Sequence, residues 1–246
     1  MKKPVIFAHR GASAYAPENT GAAFRKAVEM KADGIELDVH LTLDGHIVVI
    51  HDERVDRTSN GSGWVKDMRL SELKELDFGS WFGSEFRGET ILTLEEVLDL
   101  LKGWDGILNV ELKSGPIFYE GLEQKTLDVL KAFGMTERAI ISSFNHYSLL
   151  TVKQIEPGIK TGILYMAGLV EPWDYARKVG ADAIHPYFVN IQPPIVQGCK
   201  AHGILMNPFT VDKPEHIRAL AMAGVDGIIT NVPDTAIAVI SSLQEQ

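Results

Sequence analysis

Cysteine is nearly absent from this 246-residue chain: Cys199 stands alone, so no intrachain disulfide can form. The expectation is a reducing compartment, with Cys199 as buried apolar filler. Basic residues are also scarce, 24 against 33 acidic ones, and the net charge of −9 offers no broad positive surface to a nucleic-acid backbone. No apolar stretch approaches the ~18 residues of a membrane span. The run Val5–Ala8 is shorter than the core of about 7–15 residues that a signal peptide needs. These absences point to a cytoplasmic chain without stable membrane insertion. Low-complexity linkers are missing too. Gly61-Ser62-Gly63 is too short for a nucleotide loop, and Ser13, Ser142 and Ser143 have no Ser-His-Asp setting.

What is present is an ordinary globular composition, 45% hydrophobic and 23% charged. Short β-rich runs begin near Val5, Ile35, Ile107, Ala139, Thr161, Ala183, Ile204 and Ile228, with helical patterns between most of them. Strands alternating with helices predict right-handed βαβ units, and eight such units predict a (β/α)₈ barrel of TIM type. The segments Ala32-Asp33-Gly34-Ile35, Ala181-Asp182-Ala183-Ile184 and Val225-Asp226-Gly227-Ile228 repeat one αβ loop. Helix starts are marked by Asn19 or Thr20, by the capping-box pattern at Thr93–Glu96, and by Pro172, Pro193, Pro214 and Pro233. Residues from about 52 to 90 break the rhythm and are expected to form a small inserted subdomain near the barrel mouth, after a strand ending at His51, within a single domain spanning 1–246.

Chemistry concentrates at predicted strand ends. In the stretch 34–52, Asp44-Gly45 reads as a two-residue hairpin turn with Leu43 facing His46, which sets Asp38 opposite His51. Glu36 shares the face of Asp38 by strand alternation. Two adjacent carboxylates repel unless a proton or cation sits between them, and all-oxygen ligands suit a hard cation, Mg²⁺ or Ca²⁺. Asn109, Glu111 and Lys113 alternate onto one face of another strand, so Glu111 can complete a metal site and Lys113 can meet an anion. Taken residue by residue, an internal Glu–Lys pair and basic partners for Glu36 and Asp38 remain open. His9 and Arg10 end the first strand at the same mouth, with Gly11 for a tight exit, and the arginine fork suits phosphate oxygens. His40, His46, His146, His202 and His216 read as surface or hairpin residues without catalytic roles, and His185 as a pocket wall.

These motifs together resemble the glycerophosphodiester phosphodiesterase family: His9-Arg10-Gly11, Pro17-Glu18-Asn19-Thr20, Glu36-Leu37-Asp38, His51-Asp52, Arg57-Thr58, Glu111-Leu112-Lys113, Ser142-Ser143-Phe144 and Asp226 to Asp234. The resemblance covers nearly the whole chain. It implies metal-dependent hydrolysis of glycerophosphodiesters to sn-glycerol 3-phosphate and an alcohol on a barrel with an insertion after the His-Asp motif. By the same resemblance, Glu36, Asp38 and Glu111 hold one divalent cation, His9 and His51 form the acid–base pair, Arg10 and Lys113 bind phosphate, and Phe144 packs on glycerol. Two positions depart from the family pattern: Asp212 stands where relatives often carry asparagine, and Asn231 where many carry aspartate. The expected partner is a small-molecule diester, with homo-oligomerisation left open. A barrel phospholipase acting on intact lipids and a non-catalytic phosphodiester-binding barrel are the alternative readings.

Overall fold

The computed structural model describes residues 2–244. Eight parallel strands line the barrel: β1 (Val5–His9), β2 (Gly34–Leu41), β5 (Ile107–Leu112), β6 (Ala139–Ser143), β7 (Lys160–Tyr165), β8 (Ala183–Pro186), β9 (Leu205–Met206) and β10 (Gly227–Thr230). Two short antiparallel strands, β3 (Ile47–Val49) and β4 (Leu92–Thr93), branch from β2. The helices are α1 (Gly21–Glu29), α2 (Leu70–Lys74), α3 (Leu94–Leu100), α4 (Leu122–Ala132), α5 (His146–Ile155), α6 (Pro172–Val179), α7 (Pro193–Ala201), α8 (Pro214–Ala223) and α9 (Pro233–Gln244). Strand ladders run β10-β1-β2-β5-β6-β7-β8-β9. The remaining seam lies outside any ladder and is crossed by backbone bonds from Asp226 to Met206, Ile229 to Pro208 and Val211 to Ile229, at 2.9–3.0 Å. This is the expected (β/α)₈ architecture, each parallel strand starting within one residue of its predicted position.

Strand alternation decides what faces where. Ile35, Leu37 and Val39 of β2 pack into the main core with Phe24 and Ala27 of α1, which turns Glu36, Asp38 and His40 to the other side of the sheet, into the bore. Lower in the bore, Phe7, Ile140 and Ile229 form a separate apolar cluster with Val5, Ile107 and Phe209 packed against it. Local chemistry starts the helices. Thr20 Oγ1 accepts from Ala23 N, Thr93 and Glu96 exchange bonds of 3.2 and 2.8 Å as a capping box, and proline opens α6, α7, α8 and α9.

Two expectations near the site need correction. The β2–β3 pairing is shifted by one residue: Leu41 faces Ile47 and Val39 faces Val49. The turn carries three residues instead of two, because Thr42 N donates to His46 O and Gly45, at φ 80°, takes the left-handed position. The residue facing Asp38 is therefore Ile50, whose N–H donates to the Asp38 carbonyl. β3 also ends at Val49, two residues before His51. Beyond it, Val48, Ile50, Val55, Val65, Leu73, Phe78 and Ile91 enclose a small apolar cluster of their own.

Candidate active site

The C-terminal ends of β1, β2 and β5 bring the acids together. Parallel register sets His9 beside Glu36 and Asp38 beside Glu111. All three carboxylates are buried, and each offers an oxygen within 4.8 Å of the others'. Asp38 Oδ2 takes a 2.9 Å bond from Asn19 Nδ2, while buried Asp38 Oδ1 has no hydrogen-bond partner. Burial together with the charges of Asp38 and Glu111 raises the Glu36 carboxyl well above the ordinary range. Burial raises Glu111 too, with Lys113 opposing and Asp38 adding to it. For Asp38 burial pushes the same way, but Arg10 and Lys113 outweigh it and hold this carboxyl far below the usual value. Three crowded acids, an unpartnered buried oxygen and no soft donor fit a hard divalent cation bound by Glu36, Asp38 and Glu111.

Two cations flank the cluster. Arg10 and Gly11 both take left-handed backbone, at φ 56° and 79°, and turn the chain sharply out of β1. A side chain at Gly11 would put its Cβ 2.7 Å from the Ala23 carbonyl carbon, so only glycine fits. In this turn Arg10 N donates to Glu36 Oε2 at 2.9 Å, Nη1 reaches Glu18 at 2.8 Å, and Nε lies 3.4 Å from Asp38. Lys113 Nζ sits 2.8 Å from Glu111 and 3.7 Å from Asp38. The internal Glu–Lys pair thus exists, and it lies against the acid cluster.

The histidines approach from two sides. His9 Nδ1 contacts Asn231 Oδ1 at 2.7 Å, and Nε2 lies 3.9 Å from Glu36. Burial and the nearby Arg10 guanidinium lower the His9 imidazole to about 4, so its ring is neutral at pH 7. His51 bonds Asp52 through Nδ1 at 2.6 Å, and lies within electrostatic reach of Asp38, Glu111 and His9. It arrives here despite the shifted register because the chain has left the sheet at Ile50. Phe144, half exposed, lines a cleft of about 340 Å³ with Glu111, Lys113, Ser143, Asn145 and Phe118. The structure therefore gathers His9, Arg10, Glu36, Asp38, His51, Glu111 and Lys113 at one mouth, with Phe144 on its rim.

Several neighbours receive no role from the sequence. Arg57 grips Glu18 with two bonds of 2.7 and 2.8 Å and Asp52 with two of 2.7 and 3.0 Å, joining His51 to Arg10 through a chain of ion pairs. His40, expected on a surface hairpin, is fully buried: its Nε2 lies 3.0 Å from the His51 carbonyl oxygen and its Nδ1 2.9 Å from the Tyr119 hydroxyl. The alternation that pairs Glu36 with Asp38 also places His40 on the inner face. His185 lies inside the bore, 3.1 Å from Asn207.

A model of the glycerophosphoryl diester phosphodiesterase family matches residues 9–235. A glycerophosphodiester phosphodiesterase of Caldanaerobacter subterraneus subsp. tengcongensis is 53% identical over 235 residues, covering 96% of this chain and 97% of the relative. One from Bacillus subtilis is 39% identical over 245 residues, with 92% and 83% covered. The solved structure of an Oleispira antarctica phosphodiesterase in complex with the product sn-glycerol-3-phosphate matches with a TM-score of 0.90 and 32% identity, covering 97% of both chains. With the family match spanning nearly all of the sequence, this chain belongs to the glycerophosphoryl diester phosphodiesterase family.

Proposed function

We propose that this chain hydrolyses glycerophosphodiesters to sn-glycerol 3-phosphate and an alcohol, using one divalent cation, Mg²⁺ or Ca²⁺. The observation that carries the reading is one mouth holding three buried carboxylates, two flanking cations and two histidines whose Nδ1 atoms are engaged by Asn231 and Asp52. The family membership and the product-bound structural relative support the same substrate class.

The residues divide the work. A cation bound by Glu36, Asp38 and Glu111 would supply Lewis-acid charge to the phosphoryl group. Arg10 and Lys113 offer N–H donors to phosphate oxygens, and fixed donors in a partly buried site favour charge that develops in the transition state. Phe144 offers an apolar wall to the glycerol carbons. One imidazole takes the proton of the glycerol 2-hydroxyl as its oxygen attacks phosphorus, and the other protonates the departing alkoxide. The resulting cyclic phosphate is opened by water with the two histidines exchanging roles.

The test is release of sn-glycerol 3-phosphate from glycerophosphocholine by metal-stripped protein, before and after Mg²⁺ or Ca²⁺ is restored. Metal-dependent release is expected. His9→Ala and His51→Ala should each lower turnover by roughly 10²–10⁴-fold while leaving the thermal transition in place. Folded protein that releases nothing with either ion, or variants that turn over at the parental rate, would overturn the assignment.

A further inference from the structure

One acid near the mouth touches neither the substrate-facing groups nor the carboxylate cluster. Asp212 follows β9, on the far side of the barrel seam from Asn231, which follows β10. Its Oδ1 accepts from the Asn231 backbone N–H at 2.8 Å and from the Thr230 hydroxyl at 3.0 Å. Its Oδ2 accepts from Asn231 Nδ2 at 2.7 Å. An ionised carboxylate only accepts, so the Asn231 amide must turn its NH₂ to Asp212 and its oxygen the other way. That oxygen lies 2.7 Å from His9 Nδ1 and takes a second bond, 2.8 Å, from the Ser13 hydroxyl.

A carbonyl oxygen at Nδ1 requires the proton of a neutral His9 ring to sit on Nδ1, which leaves Nε2 as the bare nitrogen. Nε2 is the atom on the Glu36 side. Were the Asn231 amide reversed, its NH₂ would face Nδ1, the ring proton would move to Nε2, and the basic lone pair would point away from the mouth. We propose that Asp212 is a positioning residue for His9: by holding the Asn231 amide one way round, it selects the ring nitrogen that is free to take a proton. The inference rests on His9 being an acid–base residue in the reaction proposed above.

The same geometry predicts how the pair can be exchanged. With Asp212→Asn alone, the introduced NH₂ meets the NH₂ of Asn231, and relief comes by turning the Asn231 amide over. With Asn231→Asp added, the introduced amide donates its NH₂ to the introduced carboxylate. Its oxygen remains for the backbone N–H at position 231 and for the Thr230 hydroxyl. The second carboxylate oxygen is left to accept from His9 Nδ1–H. Every bond of the relay is restored with the charge moved to the other partner.

The experiment has two readouts on the full-length chain in the divalent cation that supports turnover. Nitrogen-15 chemical shifts of the His9 ring report which nitrogen is protonated, with the resonance assigned by its loss in His9→Gln. Steady-state kinetics report kcat and KM separately. Asp212→Asn is expected to shift His9 toward the Nε2-protonated form and to lower kcat roughly 10- to 100-fold with KM little changed. Asp212→Asn/Asn231→Asp is expected to return both the Nδ1-protonated signature and most of kcat, which a merely structural loss would not do. An unchanged tautomer with parental kcat in Asp212→Asn overturns the proposal, as does a folded double variant no better than the single one. The acid–base reading fails separately: a relay intact by NMR combined with a fully active His9→Ala would remove the reaction role and leave the tautomer lock standing.

Discussion

At Glu36, burial and two neighbouring carboxylates push in the same direction, so without a cation the ionised form of this side chain is costly to fold. Glu36→Gln removes that charge and keeps an oxygen to accept the Arg10 N–H. The metal-free variant is therefore expected to melt higher than its parent, by roughly 2–4 °C. The parent should gain about 2.7 kcal/mol from a cation at a hundred times its Kd, and the variant should lose most of that gain. Differential scanning calorimetry with and without Mg²⁺ or Ca²⁺ checks both signs. A metal-free variant that melts lower than its parent would remove Glu36 from the crowded cluster. At this scale the sequence is informative where alternation alone suffices: Glu36, Asp38 and Glu111 need only a period of two. Asn19, Glu18 and Arg57 lie beyond it, since their partners come from separate loops and only packing brings them together.

The hairpin and the segment 52–90 show where element-level reading stops. Asp44-Gly45 signals a reversal correctly, yet a dipeptide does not fix whether two or three residues make the loop, and one residue shifts the pairing. His51 reaches the mouth because the chain leaves the sheet at Ile50, a departure no strand pattern records. Arg57 then ties the segment 52–90 to the loop after β1 through Glu18. Arg57→Ala is expected to lower kcat by about tenfold with a smaller change in KM, by loosening Asp52 behind His51. Limited proteolysis should cut the variant faster between residues 52 and 90. Equal cleavage rates and an unchanged kcat would mean that the segment 52–90 holds His51 without Arg57.

Across the whole molecule, three histidines have their rings driven neutral, partly buried His9 and fully buried His40 to about 4 and fully buried His185 to about 3. Burial is the main cause in each. In the unfolded chain the same rings titrate near 6.5, so between pH 6.5 and about 4 the unfolded state binds more protons. Stability is therefore fully present above 6.5 and falls as the pH is lowered through that window. Glu36 and Glu111 act in the opposite sense, because protonation relieves them. The net loss between pH 7.5 and 5 is expected to be roughly 3–5 kcal/mol in urea unfolding of the metal-free chain. A flat profile would mean that these rings are open to water in the fold.

Closure of the barrel through β1 and β10 has a consequence for synthesis. His9 is synthesised well before its Asn231 partner, which follows 222 positions later. β1 can pair with β2 early, but its other edge waits for β10. Until Gly227–Thr230 has emerged, the nascent chain carries an open sheet edge and a half-built mouth. Activity should therefore switch on in a single late step, once Gly227–Thr230 and Asn231 have joined the sheet.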